Sequence, residues 1–287
     1  MLLGKTGVLA AWASRHRMLS KVPEIVVLFW VTKILTTGMG EATSDYLVAI
    51  NRYGAVLVGL VAFALALTWQ LWLHRYVVGV YWLAVSMVAV FGTMAADVLH
   101  IGLGIPYAIS SAFYAVVLAA VFVTWQRTEG TLSIHSITTQ RREAFYWVVV
   151  FATFALGTAL GDFTATSLGM GYLDSGIFFF AVILLPALAW WRFGLNSVAA
   201  FWMAYVVTRP LGASFSDYIS KPASITGIGF GNGQTAVVIA VAVLLLVAYL
   251  AIVRPDIQRP LGADADRTCT VRPTSEFLTE AVELDID

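Results

Sequence analysis

An aromatic–tryptophan pair recurs four times in this chain, each time followed at the same distances by glycine, a small residue and aspartate. Phe29-Trp30 leads to Gly40, Ser44 and Asp45, and Tyr81-Trp82 leads to Gly92, Ala96 and Asp97. Tyr146-Trp147 leads to Gly157, Gly161 and Asp162, and Phe201-Trp202 leads to Gly212, Ser216 and Asp217. The offsets from tryptophan are ten, fourteen and fifteen residues in every copy. Self-similarity at fixed spacing marks a repeat architecture, in which each unit buries its apolar face against its neighbours. The fold must therefore accommodate four equivalent units and bring four carboxylates to equivalent places.

The surrounding sequence defines those units. Hydrophobic residues make up 60% of the chain and charged residues 12%, about half the charged share of a soluble domain. A bilayer-spanning helix needs ~20 mostly apolar residues. Eight such stretches lie at 24–48, 53–73, 77–99, 106–126, 144–168, 172–192, 195–220 and 234–253. The expected class is all-α: a polytopic membrane protein of about eight transmembrane helices, arranged as four parallel two-helix repeats. Each repeat is a motif-bearing odd helix followed by a plain even one, with repeats at about 23–75, 76–127, 143–193 and 195–253. Residues 1–22 and 254–287 are expected to be tails, the second alternating acidic and polar residues and therefore poorly ordered. The short apolar run from Gly7 to Ala13, followed by arginines, reads as an amphipathic tail rather than a signal peptide.

Charge asymmetry orients the spans. Lys5, Arg15, Arg17 and Lys21 precede the first span, and Arg75, Arg127, Arg141, Arg142, Arg192, Arg254 and Arg259 follow even-numbered spans. The opposite loops hold Arg52 and Lys221. The positive-inside rule then places both termini in the cytoplasm. All four units run in the same direction, so a symmetry axis lies along the membrane normal, unlike the in-plane axis of inverted-topology transporters. The simplest packing is a ring of odd helices surrounded by even ones, with the longest loop, Thr128 to Arg142, between two four-helix halves. Trp69, Trp72, Trp125, Trp190 and Trp191 fall at cytoplasmic ends, where amphipathic rings anchor at the interface.

Several chemistries are disfavoured. The single cysteine, Cys269, forms neither an internal disulfide nor a thiolate metal cluster. His16, His74, His100 and His135 are scattered and show no paired metal-ligand spacing. There is no glycine-rich phosphate loop, nucleotide motif or basic nucleic-acid patch, so neither a cofactor nor a nucleic-acid partner is expected. The expected partners are the lipid bilayer and a small cation or proton.

Taken together, the runs Lys21-Val-Pro-Glu24, Phe29 to Asp45, Phe91 to Asp97, Ala155 to Asp162 and Thr208 to Ser214 resemble a bacterial integral membrane family built of four repeats of unknown function. The resemblance covers about 21–253. It implies the repeat architecture and a bacterial inner-membrane location, and it supplies no activity.

The chemistry has to come from the residues. On the first odd helix Lys33, Thr37, Glu41 and Asp45 are spaced by four, with Thr36, Gly40 and Ser44 alongside. At 3.6 residues per turn they form one polar stripe, which lipid does not satisfy and which therefore faces the protein interior or a wet cavity. With entry near Pro23 and a rise of ~1.5 Å per residue, Lys33 lies roughly 15 Å deep and Asp45 roughly 33 Å along. Asp97, Asp162 and Asp217 follow by symmetry, giving a carboxylate ring above Lys33 and Arg209. Carboxylates and hydroxyls are hard ligands for Mg²⁺, Ca²⁺ or Mn²⁺. The same aspartates also suit helix capping and hydrogen bonding at the outer loops.

Glu41 is the one acid at its register position, where the other copies carry Thr93, Thr158 and Ala213. Lys33 and Arg209 either pair with Glu41 or an aspartate or act directly in a pathway. Gly40, Gly92, Gly157, Gly161 and Gly212 read as notches for close helix approach, or as helix breaks that expose carbonyls to an ion. The expected function is transport of a small solute, with a cation as the leading candidate, along Lys33, Thr37, Glu41, Asp45, Asp97, Thr158, Asp162, Arg209 and Asp217. The alternatives are a non-transporting sensor, assembly factor or accessory subunit. An intramembrane aspartyl protease is a remote one, suggested by Gly161-Asp162 and Pro186-Ala-Leu188 but lacking the usual Tyr-Asp partner. No enzyme activity is expected.

Overall fold

The computed structural model describes residues 20–256, which form eight long helices and no strand. They are α1 (Val27–Ile50), α2 (Arg52–Trp72), α3 (Val78–Asp97), α4 (Tyr107–Glu129), α5 (Gln140–Asp162), α6 (Gly171–Phe193), α7 (Ser197–Ser220) and α8 (Asn232–Val253). Six are long and apolar enough to cross a membrane. The other two, α1 and α7, have 24 residues each, and their ionisable and hydroxyl side chains lower their hydropathy.

Local chemistry sets the boundaries. The Asn51 and Asn196 side chains accept from the first backbone N–H groups of α2 and α7, filling orphan donors at a helix start. Gly130 and Gly194 close α4 and α6 in the left-handed conformation, at φ 70° and 69°, which glycine adopts without a Cβ clash. At Asp97 and Asp162 the chain widens into five-residue π-turns, Val98–Gly102 and Phe163–Ser167. α1 and α7 pass their own aspartates as regular α-helix. Pro210 lies inside α7, which continues across it.

The odd helices close a ring: α1 packs on α3, α3 on α5, α5 on α7, and α7 back on α1. The even helices lie outside. In their apolar windows α3 and α5 are 72% buried, against 22% for α2, α4 and α6. Each even helix packs chiefly on the odd helix of the next repeat, α2 on α3, α4 on α5, α6 on α7 and α8 on α1. The repeats therefore interlock around the ring rather than standing as separate hairpins.

Two tiers of the core follow the repeat around the ring. At one end the aromatic before each tryptophan meets the tryptophan of the next repeat. Phe29 lies 5.8 Å from Trp82, Tyr81 5.7 Å from Trp147, Tyr146 6.2 Å from Trp202 and Phe201 5.6 Å from Trp30, between ring centroids. Ten residues on, each motif glycine faces the residue seven after the next tryptophan. A Cβ on Gly40 would lie 2.3 Å from Ala89, one on Gly92 2.8 Å from Phe154, and one on Gly157 2.2 Å from Arg209. A Cβ on Gly212 would lie 2.9 Å from Thr37 and 2.7 Å from the Ile34 carbonyl. Such close approach of small residues gives the helices extensive van der Waals contact. Four of the five predicted glycines are packing notches inside regular helix. Gly161 is looser, its nearest neighbour 3.7 Å away.

The loop expected to divide the protein does not separate two halves. Ile134 and Ile137 are buried, Lys21 N–H donates to the Ile137 carbonyl, and Trp202 Nε1 donates to the Leu132 carbonyl at 2.9 Å. The loop forms a floor under the aromatic end. Lys21 Nζ meets Glu143 Oε2 there at 2.6 Å, and Gln70 Nε2 donates to Glu143 Oε1 at 3.0 Å. Asp256, in the stretch expected to be tail, is buried and accepts from the Tyr76 hydroxyl. Burial first, and then the bond to and charge of Asp256, push the Tyr76 hydroxyl well above the usual tyrosine range. Trp125 departs from its expected interfacial place: it is fully buried, stacked on Phe145 and edge-on to Trp202. Trp69, Trp72, Trp190 and Trp191 are exposed. The remainder of both expected tails, Cys269 and His16 lie outside the described residues.

Candidate functional site

The acids Glu41, Asp45, Asp97, Asp162 and Asp217 follow the motif glycines along the odd helices, away from the tryptophans, whereas Lys33 and Arg209 precede Gly40 and Gly212. The stripe on α1 is buried as its spacing demands: Lys33, Thr36, Thr37, Gly40, Glu41 and Ser44 are all inaccessible, and Asp45 is half-buried.

At the centre is Arg209 of α7, with 0% exposure. Its Nη2 donates to Glu41 Oε2 at 2.8 Å, to Thr158 Oγ1 at 2.7 Å and to Thr93 Oγ1. Nη1 donates to the Thr37 carbonyl at 3.2 Å, and the guanidinium carbon lies 5.0 Å over the Phe154 ring. Glu41, Thr93 and Thr158 occupy the same register position in repeats one, two and three. The fourth copy, Ala213, has no polar side-chain atom, and Arg209 comes from one turn earlier in that repeat. Predicted residues Glu41, Thr158 and Arg209 are thus brought together. Thr37 joins them through its backbone, because its hydroxyl is bonded back to the Lys33 carbonyl at 2.7 Å.

Lys33 stands apart from every acid. Its Nζ has no hydrogen-bond partner among the described residues and sits 3.7 Å over the Tyr205 ring and 4.9 Å from that of Phe154. Pairing of Lys33 with Glu41 or an aspartate, one of the two expectations, is therefore corrected: Arg209 has taken Glu41, and aromatic faces take the ammonium.

One turn beyond Glu41 the carboxylates gather unequally. Oxygens of Glu41, Asp45 and Asp217 lie within 4.8 Å of one another. Asp97 and Asp162, half-buried at the heads of the two π-turns, stay outside that group. The expected even ring of aspartates is thus lopsided toward α1 and α7. Lys221, just past the end of α7, closes it, its Nζ paired with Asp45 and 3.8 Å from Asp217 Oδ1. Burial pulls the Lys221 ammonium pKa down, but Asp217 and then Asp45 more than offset this and leave it raised.

Thr93 and Lys221 belong to the site although neither is among the expected pathway residues. Both carried a signal: Thr93 shares Glu41's register, and Lys221 follows Asp217 by four.

A family described as Repeat of Unknown Function (DUF347) matches at 28–76, 80–131, 145–195 and 200–255. The chain belongs to this family. No curated protein and no solved structure matches it. The four DUF347 matches coincide with the four interlocked units, and each contains one aromatic–Trp–Gly–Asp motif. In DUF347 terms, the site is built where the copies stop being equivalent.

Proposed function

We propose that this chain is an integral protein of the bacterial inner membrane, with both termini cytoplasmic, that moves a small cation between its odd helices. Glu41, Asp45 and Asp217 are the proposed ligand or coupling groups. The observation that carries this reading is the convergence of those three carboxylates within 4.8 Å, inside a bundle of long apolar helices. Arg209 and Lys221 supply two positive charges against three negative ones, and Asp97 and Asp162 add acid nearby. That excess favours a cation or proton at the carboxylate end.

A second reading has its own support. The Arg209–Glu41 and Lys221–Asp45 pairs both join α7 to α1, where the fourth repeat meets the first. In a scaffold or accessory subunit they would serve as the clasp of the ring. The hydrolytic alternative is less favoured, because Asp217, not Asp162, is grouped with Asp45.

Ion content and flux in cells expressing the chain separate the two readings. Transport predicts that Glu41→Gln and Asp45→Asn abolish flux at normal expression. A scaffold predicts unchanged ion content, reduced folded yield and a co-purifying partner.

A further inference from the structure

The contacts of Arg209 fit its guanidinium imperfectly. Three oxygens, from Glu41, Thr93 and Thr158, converge on Nη2, which has two hydrogens, while Nε, equally buried, has no partner among the described residues. A guanidinium is best matched by a planar fork of acceptors, and an ammonium by acceptors set around a point. These acceptors surround a point. They come from three different helices, and the two hydroxyls are anchored to their own helices, Thr93 Oγ1 lying 3.0 Å from the Ala89 carbonyl and Thr158 Oγ1 3.2 Å from that of Phe154. Their exposures are 4%, 0% and 2% for Glu41, Thr93 and Thr158. The cage holds one carboxylate and two neutral hydroxyls, so a single monovalent cation balances its charge. The separations of 2.7 and 2.8 Å from Nη2 to Thr158 and Glu41 are those of a charge-assisted N–H···O bond, about 2.7–2.9 Å.

We propose that Glu41, Thr93 and Thr158 form an ammonium-binding cage on the axis of the ring, held in this conformation by the chain's own Arg209. A free cation of the ammonium class enters when that side chain withdraws. Arg209 is then a tethered competitor: while it holds Glu41, the residue above Lys33 is closed to a passing ion. Glu41 exchanges one positive partner for another, so the buried carboxylate is never left unpaired. The inference rests on the transport reading only for this last consequence; the cage itself does not depend on it.

The test uses the detergent-solubilised full chain carrying Arg209→Met, which keeps the stem against Gly157 and removes the charged head that lies over Phe154. Thermal unfolding is followed in ammonium, sodium, tetramethylammonium and guanidinium chlorides at equal ionic strength. Ammonium should raise the Tm by about 2–4 °C once it exceeds its Kd roughly tenfold. Adding Glu41→Gln should remove the shift. No ammonium shift, an equal shift from sodium or tetramethylammonium, or rescue by guanidinium alone overturns the proposal. If Arg209→Met does not fold, Arg209→Lys decides: an ammonium tethered in a point cage keeps a near-wild-type Tm, and a fall as large as that of Arg209→Gln overturns it. Binding is read without any gradient. Lost flux with intact ammonium binding therefore refutes transport alone, and intact flux without binding refutes the cage alone.

Discussion

The aromatic end and the carboxylate end of this bundle are made from the same four-copy pattern and use it in opposite ways. Around the tryptophans every copy makes the same contact with the next, and the glycine tier beside them does likewise. Around Glu41 one register position becomes a carboxylate, two hydroxyls and a methyl, and an arginine from elsewhere in the fourth copy fills the centre. Equivalent residues can only build an equivalent frame. A site with a charge and a direction needs the copies to differ, and here they differ where the polar atoms converge.

That contrast can be broken from either end. The largest effect is expected from Glu41→Ala, which leaves Arg209 buried without its carboxylate at a cost of about 3–5 kcal/mol. In thermal unfolding it should be the least stable single variant; a near-wild-type Tm would show that the pair is not what closes α7 onto α1. Next comes the glycine tier. Gly40→Val forces α1 off Ala89 and should cost about 1–3 kcal/mol, whereas the Cβ of Gly161→Ala makes ordinary contacts, the nearest 3.7 Å from Ser214 Oγ, and should gain up to about 1 kcal/mol of helix propensity. Equal losses at both glycines would mean that the contact tier does not set the helix spacing. Tyr146→Phe removes the 2.5 Å hydroxyl contact with Tyr81 and should cost about 0.5–1.5 kcal/mol. Asp45→Asn, whose pair with Lys221 is 17% and 22% exposed, should change stability by about 0–1 kcal/mol. A larger loss there would make the lopsided cluster part of the frame.

The frame was legible because its signals are local and repeated. A tryptophan, a glycine and an aspartate at fixed offsets define a helix face, and four copies in one direction define a ring. The interlock of each even helix with the following repeat was not legible, because hydropathy marks where a helix lies and not which neighbour it prefers. Within the site, Glu41 and Arg209 stood out as departures from the repeat. Their partners depended on rotation about the axis. Thr93 differs little from Thr158 as a sequence signal, and the deciding fact for Lys33 is that Arg209 reaches Glu41 first. The evenly spaced aspartates misled for the same reason: equal offsets give equal depth, but the group of three carboxylates among the described residues draws on α1 and α7, with Lys221 between them.

The tier where the repeats differ is assigned the proposed function as well as the closure of α7 onto α1, and the tiers where they agree are assigned structure alone. Cation flux per folded protein in reconstituted vesicles tests this assignment most directly, with Glu41→Gln compared against Tyr146→Phe. The account predicts that Tyr146→Phe keeps wild-type flux while Glu41→Gln loses it with its fold intact. Full flux in folded Glu41→Gln protein would contradict it.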